Sequence, residues 1–226
     1  MMTKLTKFAT IRKAAEVRVG GAAELEKRLP KAKSAKALKS FADDRYLSLM
    51  SLRVFSAGLK HSMVADKWPA FEEAFLGFEP KRVAAMPDED LEALLKETRI
   101  IRHWGKIKAT RHNAVALAEI SAEHRGFGSW LANWPSNDIV GLWEDMQKRF
   151  SNLGGKSGPY FLRMAGKDSF VLTADTIKAL NQWGACTGEP KGKKARQDVQ
   201  QAFNQWVDES GCKLSEMSMI LAVSTD

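Results

Sequence analysis

The run "NLGGKSGPYFLRMAGKDSFVLTAD", residues 152–175, sets Lys156 in a glycine-rich bend and closes on a carboxylate, Asp175. Paired glycines at Gly154 and Gly155 leave backbone N–H groups bare. Pro159 pre-sets a helical first turn just beyond. Bare amides at a helix N-terminus favour an anion such as a DNA phosphate. Leu153 would plug inward, and Gly154, Gly155, Lys156, Ser157 and Gly158 form the expected phosphate-binding bend. The ordinary alternative is a plain helix connection, since glycine turns join helices routinely. Lys156 reads as a phosphate-contacting lysine on a solvated turn. Asp175 has two readings: Thr173 and Asp175 are both common helix N-caps, but a carboxylate just past an apolar run is also poised to do chemistry.

The elements that must hold these groups read as helical. Apolar residues Tyr46, Leu47, Met50, Val54 and Phe55 recur at helical spacing after "FADD", with Asp43 or Asp44 near the helix start. "MPDEDLEALLKET" puts acids at a helix N-terminus. "RIIRHWGKIKATRHNAVALAEISAEHRG" is a longer amphipathic helix, in which Arg102, His103 and Lys106 form a solvated or helix-capping face. "SNDIVGLWEDMQKRF" opens another, with Ser136 or Asn137 as its cap. Residues 1–36 read as a basic N-terminal segment with one short helix at Ala22–Arg28, and Gly188–Lys194 as a linker. The remainder, residues 37–226, predicts an all-α domain of roughly ten helices. One lobe spans about 42–133 and a second about 136–226, with a helix-hairpin-helix at 140–166. No alternating β-branched run or hairpin dipeptide is present.

Thirty-five Lys and Arg against 27 acids give a net charge of +8, which leans toward a polyanionic partner. Cys186 and Cys212 lie far apart, with neither a redox nor a metal spacing. The start of the chain shows no signal peptide, and no run reaches the ~18 apolar residues of a membrane span. The expectation is a cytoplasmic, nucleoid-associated protein, monomeric, with no membrane partner, no cofactor and no metal.

The order of glycine hairpin, hydroxyl residue, helix, apolar strip and Asp-Thr resembles the helix-hairpin-helix DNA glycosylase superfamily. Upstream, "AGL" at Ala57–Leu59, Phe78–Met86, "IIRHWGKI" at Ile100–Ile107 and "NA" at Asn113–Ala114 resemble the 3-methyladenine DNA glycosylase I, or Tag, family. The resemblance implies two helical lobes with double-stranded DNA carrying a damaged base held across the cleft between them. It implies excision of that base, an alkylated purine such as 3-methyladenine, with Asp175 as the catalytic carboxylate. Base-pocket candidates are Arg53, Phe55, His61, Trp68 and Trp104, with core packing as the alternative for the two tryptophans. Arg53 stands where the family keeps a base-reading glutamate, and His61 where it keeps an aromatic. Thr176 and Leu180 occupy two of the family's zinc-ligand positions. The Tag type lacks an aspartate-centred mechanism, so Asp175 makes this chain a hybrid. Two alternatives stand beside hydrolysis: a catalytically silent DNA- or damage-binding relative, and a bifunctional glycosylase/AP lyase using Lys156.

Overall fold

The computed structural model describes residues 5–225; residues 1–4 and 226, the ends of the expected N-terminal segment and second lobe, lie outside the described residues. Fifteen α-helices and two short 3-10 turns make up the described residues, which contain no strand. Contacts divide the chain into two compact units.

One unit comprises residues 33–134 and 143–167. Its helix Asp43–Ser56 buries Tyr46, Leu47, Met50, Val54 and Phe55 along one face, as the helical spacing predicts. Around it lie a stack of Phe71, Phe75 and Phe78, and a second aromatic cluster in which Tyr46 and Phe127 meet at 4.9 Å. The Tyr46 hydroxyl donates to the Leu38 carbonyl at 2.8 Å, and burial pushes the phenol up. Gly128 permits this closeness: a Cβ there would sit 2.2 Å from that same carbonyl. Asp43 does not cap its own helix. Its carboxylate accepts from the Phe127 amide (3.0 Å) and the Ser121 hydroxyl, so it caps helix Phe127–Asn133 instead.

The other unit gathers residues up to 32, residues 135–142, and residues from 168 onward. Phe170 stacks on Phe203 at 4.2 Å, and Phe203 meets Trp206 edge-on. Its first helix, Phe8–Val19, corrects the expectation that the basic N-terminal segment holds only the short helix Ala22–Arg28: Phe8, Ile11 and Ala15 are buried on one stripe. Helix Ala22–Arg28 forms where expected. Remote side chains cap two of this unit's helices. Asp168 accepts from the Leu214 and Ser215 amides, and Gln200 accepts from those of Ile139 and Val140 at 2.9 and 3.2 Å. The segment 143–167 clusters with residues 33–134, whereas the sequence groups it with the C-terminal lobe. Helix Gly192–Ser210 begins inside the expected linker.

Candidate functional site

The expected hairpin is present. Helix Ile139–Arg149 leads through a turn into helix Ser157–Ala165. Asn152 and Gly155 reverse the chain with φ of 61° and 59°, a region that L side chains enter at a cost. Leu153 is buried and anchors the turn from within, while Gly155 and Lys156 are exposed. Gly158 is needed for contact rather than conformation: a Cβ there would lie 2.8 Å from the Leu153 carbonyl. No side chain caps helix Ser157–Ala165, so its first turn keeps the positive end of its dipole open.

A residue that sequence reasoning left unassigned braces this bend. Asn113, fully buried on helix Trp104–His124, donates from Nδ2 to the Ser151 carbonyl at 3.1 Å. Its Oδ1 accepts from the Ser151 amide at 2.7 Å. The signal was a buried-side amide within an otherwise apolar helical stripe.

Asp175 lies in the unit formed by the chain's ends, in the first turn of helix Ala174–Gln182. Thr173 is the cap: its hydroxyl accepts from the Thr176 amide at 3.1 Å. Asp175 is exposed and has no hydrogen-bond or ion-pair partner among the described residues. The capping reading of this carboxylate is thereby replaced by Thr173. Lys156 is likewise exposed and unpaired, so nothing around its amine excludes water.

The base-pocket candidates separate. Phe55 is fully buried, 4.5 Å from Phe71, and belongs to the core rather than to a pocket wall. Trp68 stacks on Phe71 and Phe78 and donates from Nε1 to Ser48 at 2.9 Å, so its ring serves packing. Trp104 lines a recess of about 460 Å³ with Glu89, Glu92 and Lys96, and Lys108 lies 5.1 Å over its ring. His61 is exposed at the start of helix His61–Asp66.

Arg53 stands apart from these. Its guanidinium lies 5.0 Å over the ring of Tyr160, on the hairpin's second helix. One turn further along, Ser56 ends helix Asp43–Ser56 with its hydroxyl buried and unpartnered. Lys106 closes that helix, donating to the Phe55 and Ala57 carbonyls at 3.0 and 2.8 Å. A cation suits this negative end of the dipole. Burial, and then the charge of Arg53, hold the Lys106 amine below the ordinary lysine range. His103 is a helix cap, its Nδ1 accepting from the Lys106 amide.

The family's zinc does not fit these residues. Thr176 is buried and bonded to Thr173, and Leu180 lies in the core. Among the described residues no three His, Cys, Asp or Glu side chains gather as metal ligands.

A family model described as methyladenine glycosylase matches residues 37–152, about half of the 226-residue chain. The chain belongs to that family. It is 35% identical over 83 residues to the DNA-3-methyladenine glycosylase 1 of Escherichia coli (strain K12), covering 37% of this chain and 44% of that one. Against the curated relatives it matches, this family member thus spans a little under half of their length. The 3-methyladenine DNA glycosylase I of Staphylococcus aureus superposes with a TM-score of 0.51 at 22% identity, over 68% of this chain and 91% of that one. The 8-oxoguanine DNA glycosylase of Thermotoga maritima superposes with a TM-score of 0.54 at 16% identity, over 94% of each. These two likenesses establish the all-helical glycosylase fold. The family match ends before Lys156 and Asp175.

Proposed function

We propose that this glycosylase-family chain excises a damaged base from double-stranded DNA, with Asp175 as the carboxylate beside the sugar. The reference substrate is an alkylated purine such as 3-methyladenine, the base that the relatives' names carry. One observation supports the assignment most: Asp175 is an exposed, unpaired carboxylate whose capping work is done by Thr173. As the glycosidic C–N bond breaks, the base leaves with the bonding electrons and the sugar becomes oxocarbenium-like. An unpartnered carboxylate stabilises that charge and accepts the proton of the water whose oxygen bonds to the anomeric carbon. The base must first leave the stack. The turn at Gly154–Gly158, with Lys156 exposed and the helix end uncapped, fits a DNA phosphate. The protein acts as a monomer on chromosomal DNA in the cytoplasm.

The test is release of free base from alkylated duplex DNA under single turnover. Asp175→Asn keeps size and hydrogen bonding but removes the charge, and a loss of about 10²-fold or more is expected. Release that continues at the wild-type rate in Asp175→Asn removes the carboxylate's role. Duplex binding with no base freed from any lesion leaves the silent damage-binding protein. A borohydride-trapped adduct that disappears in Lys156→Ala would establish the lyase.

A further inference from the structure

The basic stretch "KAKSAKALKS", residues 31–40, has no part in the function proposed above. Within it, Lys33, Lys36 and Lys39 recur every third residue, all in the unit of residues 33–134 and 143–167. Ser34 caps helix Ala35–Lys39, its hydroxyl accepting from the Ala37 amide at 3.1 Å. Lys36 and Lys39 are exposed and stand one turn apart on one face, about 5–6 Å between Cβ atoms. Lys33 lies just before the cap, also exposed, with its ammonium 4.1 Å from the centre of the Phe41 ring. No acidic side chain pairs with any of the three among the described residues. Like charges at this spacing repel, so the lysines weaken the helix that carries them. Packing holds it. Leu38 is 3% exposed, its carbonyl accepts from the Tyr46 hydroxyl, and Gly128 lets the chain approach that carbonyl closely. The ridge is also tied to the hairpin. The Lys33 amide donates to the Gly166 carbonyl at 2.9 Å, and a Cβ on Gly166 would lie 2.7 Å from the Lys33 side chain. Gly166 ends helix Ser157–Ala165, whose nine residues span about 14 Å, so the ridge begins about that far from the Gly154–Gly158 bend.

We infer that Lys33, Lys36 and Lys39 form a second contact with the sugar-phosphate backbone of the duplex held at the bend. The inference rests on the DNA reading of that bend and adds a surface to it. Three ammonium groups stand here with no acid to answer them, on a helix that their mutual repulsion opposes. Duplex DNA carries one negative charge per about 1.7 Å of its axis and supplies the missing counter-charge. One duplex turn covers about 34 Å, which spans both the bend and the ridge. Lysine is a point charge without arginine's fixed fork, so the contact positions the duplex and reads no sequence. Such a contact forms equally on undamaged DNA, where it lengthens residence during the search for a lesion.

The experiment measures the salt dependence of binding to an undamaged duplex of about two helical turns, by fluorescence anisotropy. Lys36→Gln/Lys39→Gln removes two charges and no buried group. Its logarithmic salt slope should fall by about 2, and its affinity at about 0.1 M salt by at least about ten-fold. Lys36→Arg/Lys39→Arg should keep the wild-type slope. Lys81→Gln/Lys96→Gln has the same net charge as the first variant, takes exposed lysines from elsewhere in the same unit, and should leave the slope alone. An equal fall in both glutamine variants, or none in the first, overturns the inference, while base release by the same proteins shows that the glycosylase stands. Wild-type binding without base release removes the glycosylase reading alone, and the slopes still decide the ridge. No duplex binding by the wild type sinks both. Poly-glutamate binding that needs Lys36 and Lys39, with duplex binding indifferent to them, overturns the inference in favour of an acidic protein.

Discussion

Replacing Asn113 tests whether one buried amide holds the bend between helices Ile139–Arg149 and Ser157–Ala165. Its side chain is fully buried and makes two hydrogen bonds to Ser151, of 2.7 and 3.1 Å. Each such bond contributes about 1 kcal/mol net, and an abandoned buried partner costs about 1–3 kcal/mol. Ser151 is only half-buried, so water can recover part of that cost. Together with the space left behind, Asn113→Ala should lose about 2–4 kcal/mol. For a chain of this size that lowers the melting temperature by about 5–12 °C. Asn113→Leu fills the space without either bond and should fare no better, which separates hydrogen bonding from packing. Amide exchange at Ser151 gives the local readout and should accelerate at least about ten-fold in both variants. Affinity for duplex DNA should fall with it. Should Asn113→Leu melt with the wild type and keep Ser151 protected, the bracing role is wrong.

Two further outcomes follow from the same region. Gly158→Ala drives a Cβ to within 2.8 Å of the Leu153 carbonyl, a backbone atom that cannot swing aside. It should cost about 1–3 kcal/mol in a denaturant melt and weaken duplex binding in fluorescence anisotropy; unchanged values in both would contradict the close approach. Lys106 provides the pH test. Its folded amine sits below the ordinary lysine value of 10.5, through burial first and Arg53 second. Between those two values the unfolded chain binds the extra proton, so stability rises with pH across that window and is flat below it. Urea melts of wild type minus Lys106→Met should show that rise, and Arg53→Gln should narrow the window. A difference that falls with pH would reverse the sign.

What was legible in the chain was what local chemistry dictates. The apolar spacing from Tyr46 to Phe55, the Pro-Asp-Glu-Asp helix start and the Gly154–Gly158 bend all form as their residues imply. Helix Phe8–Val19 escaped notice because only three of its residues are buried, while apolar residues such as Val17 stand exposed beside basic ones, so the apolar pattern does not mark one stripe. Caps were the weak point, because several arrive from far along the chain. Gln200 serves Ile139, Asp43 serves Phe127 and Asp168 serves Leu214, partners that no local window contains. In the candidate site, Arg53 was marked by its position, but its contact with the Tyr160 ring was not, because Tyr160 comes from a helix a hundred residues away. Phe55 belongs to the core instead of a pocket, and for Trp68 the core-packing alternative holds, because an aromatic ring suited to a base is equally suited to other rings and only burial distinguishes the two.

The unit holding Asp175 is assembled from three separated stretches of chain, with residues 33–134 inserted between the first and second. During synthesis, helix Phe8–Val19 emerges long before helix Leu214–Val223, against which it packs. The nascent amino-terminal helix therefore waits for nearly the whole polypeptide, while the inserted stretch can begin to fold from neighbours already made. A ribosome that stalls late would release a molecule with the unit of residues 33–134 and 143–167 partly built and the unit formed by the chain's ends unfinished. Quality control by proteases would meet that unfinished unit first.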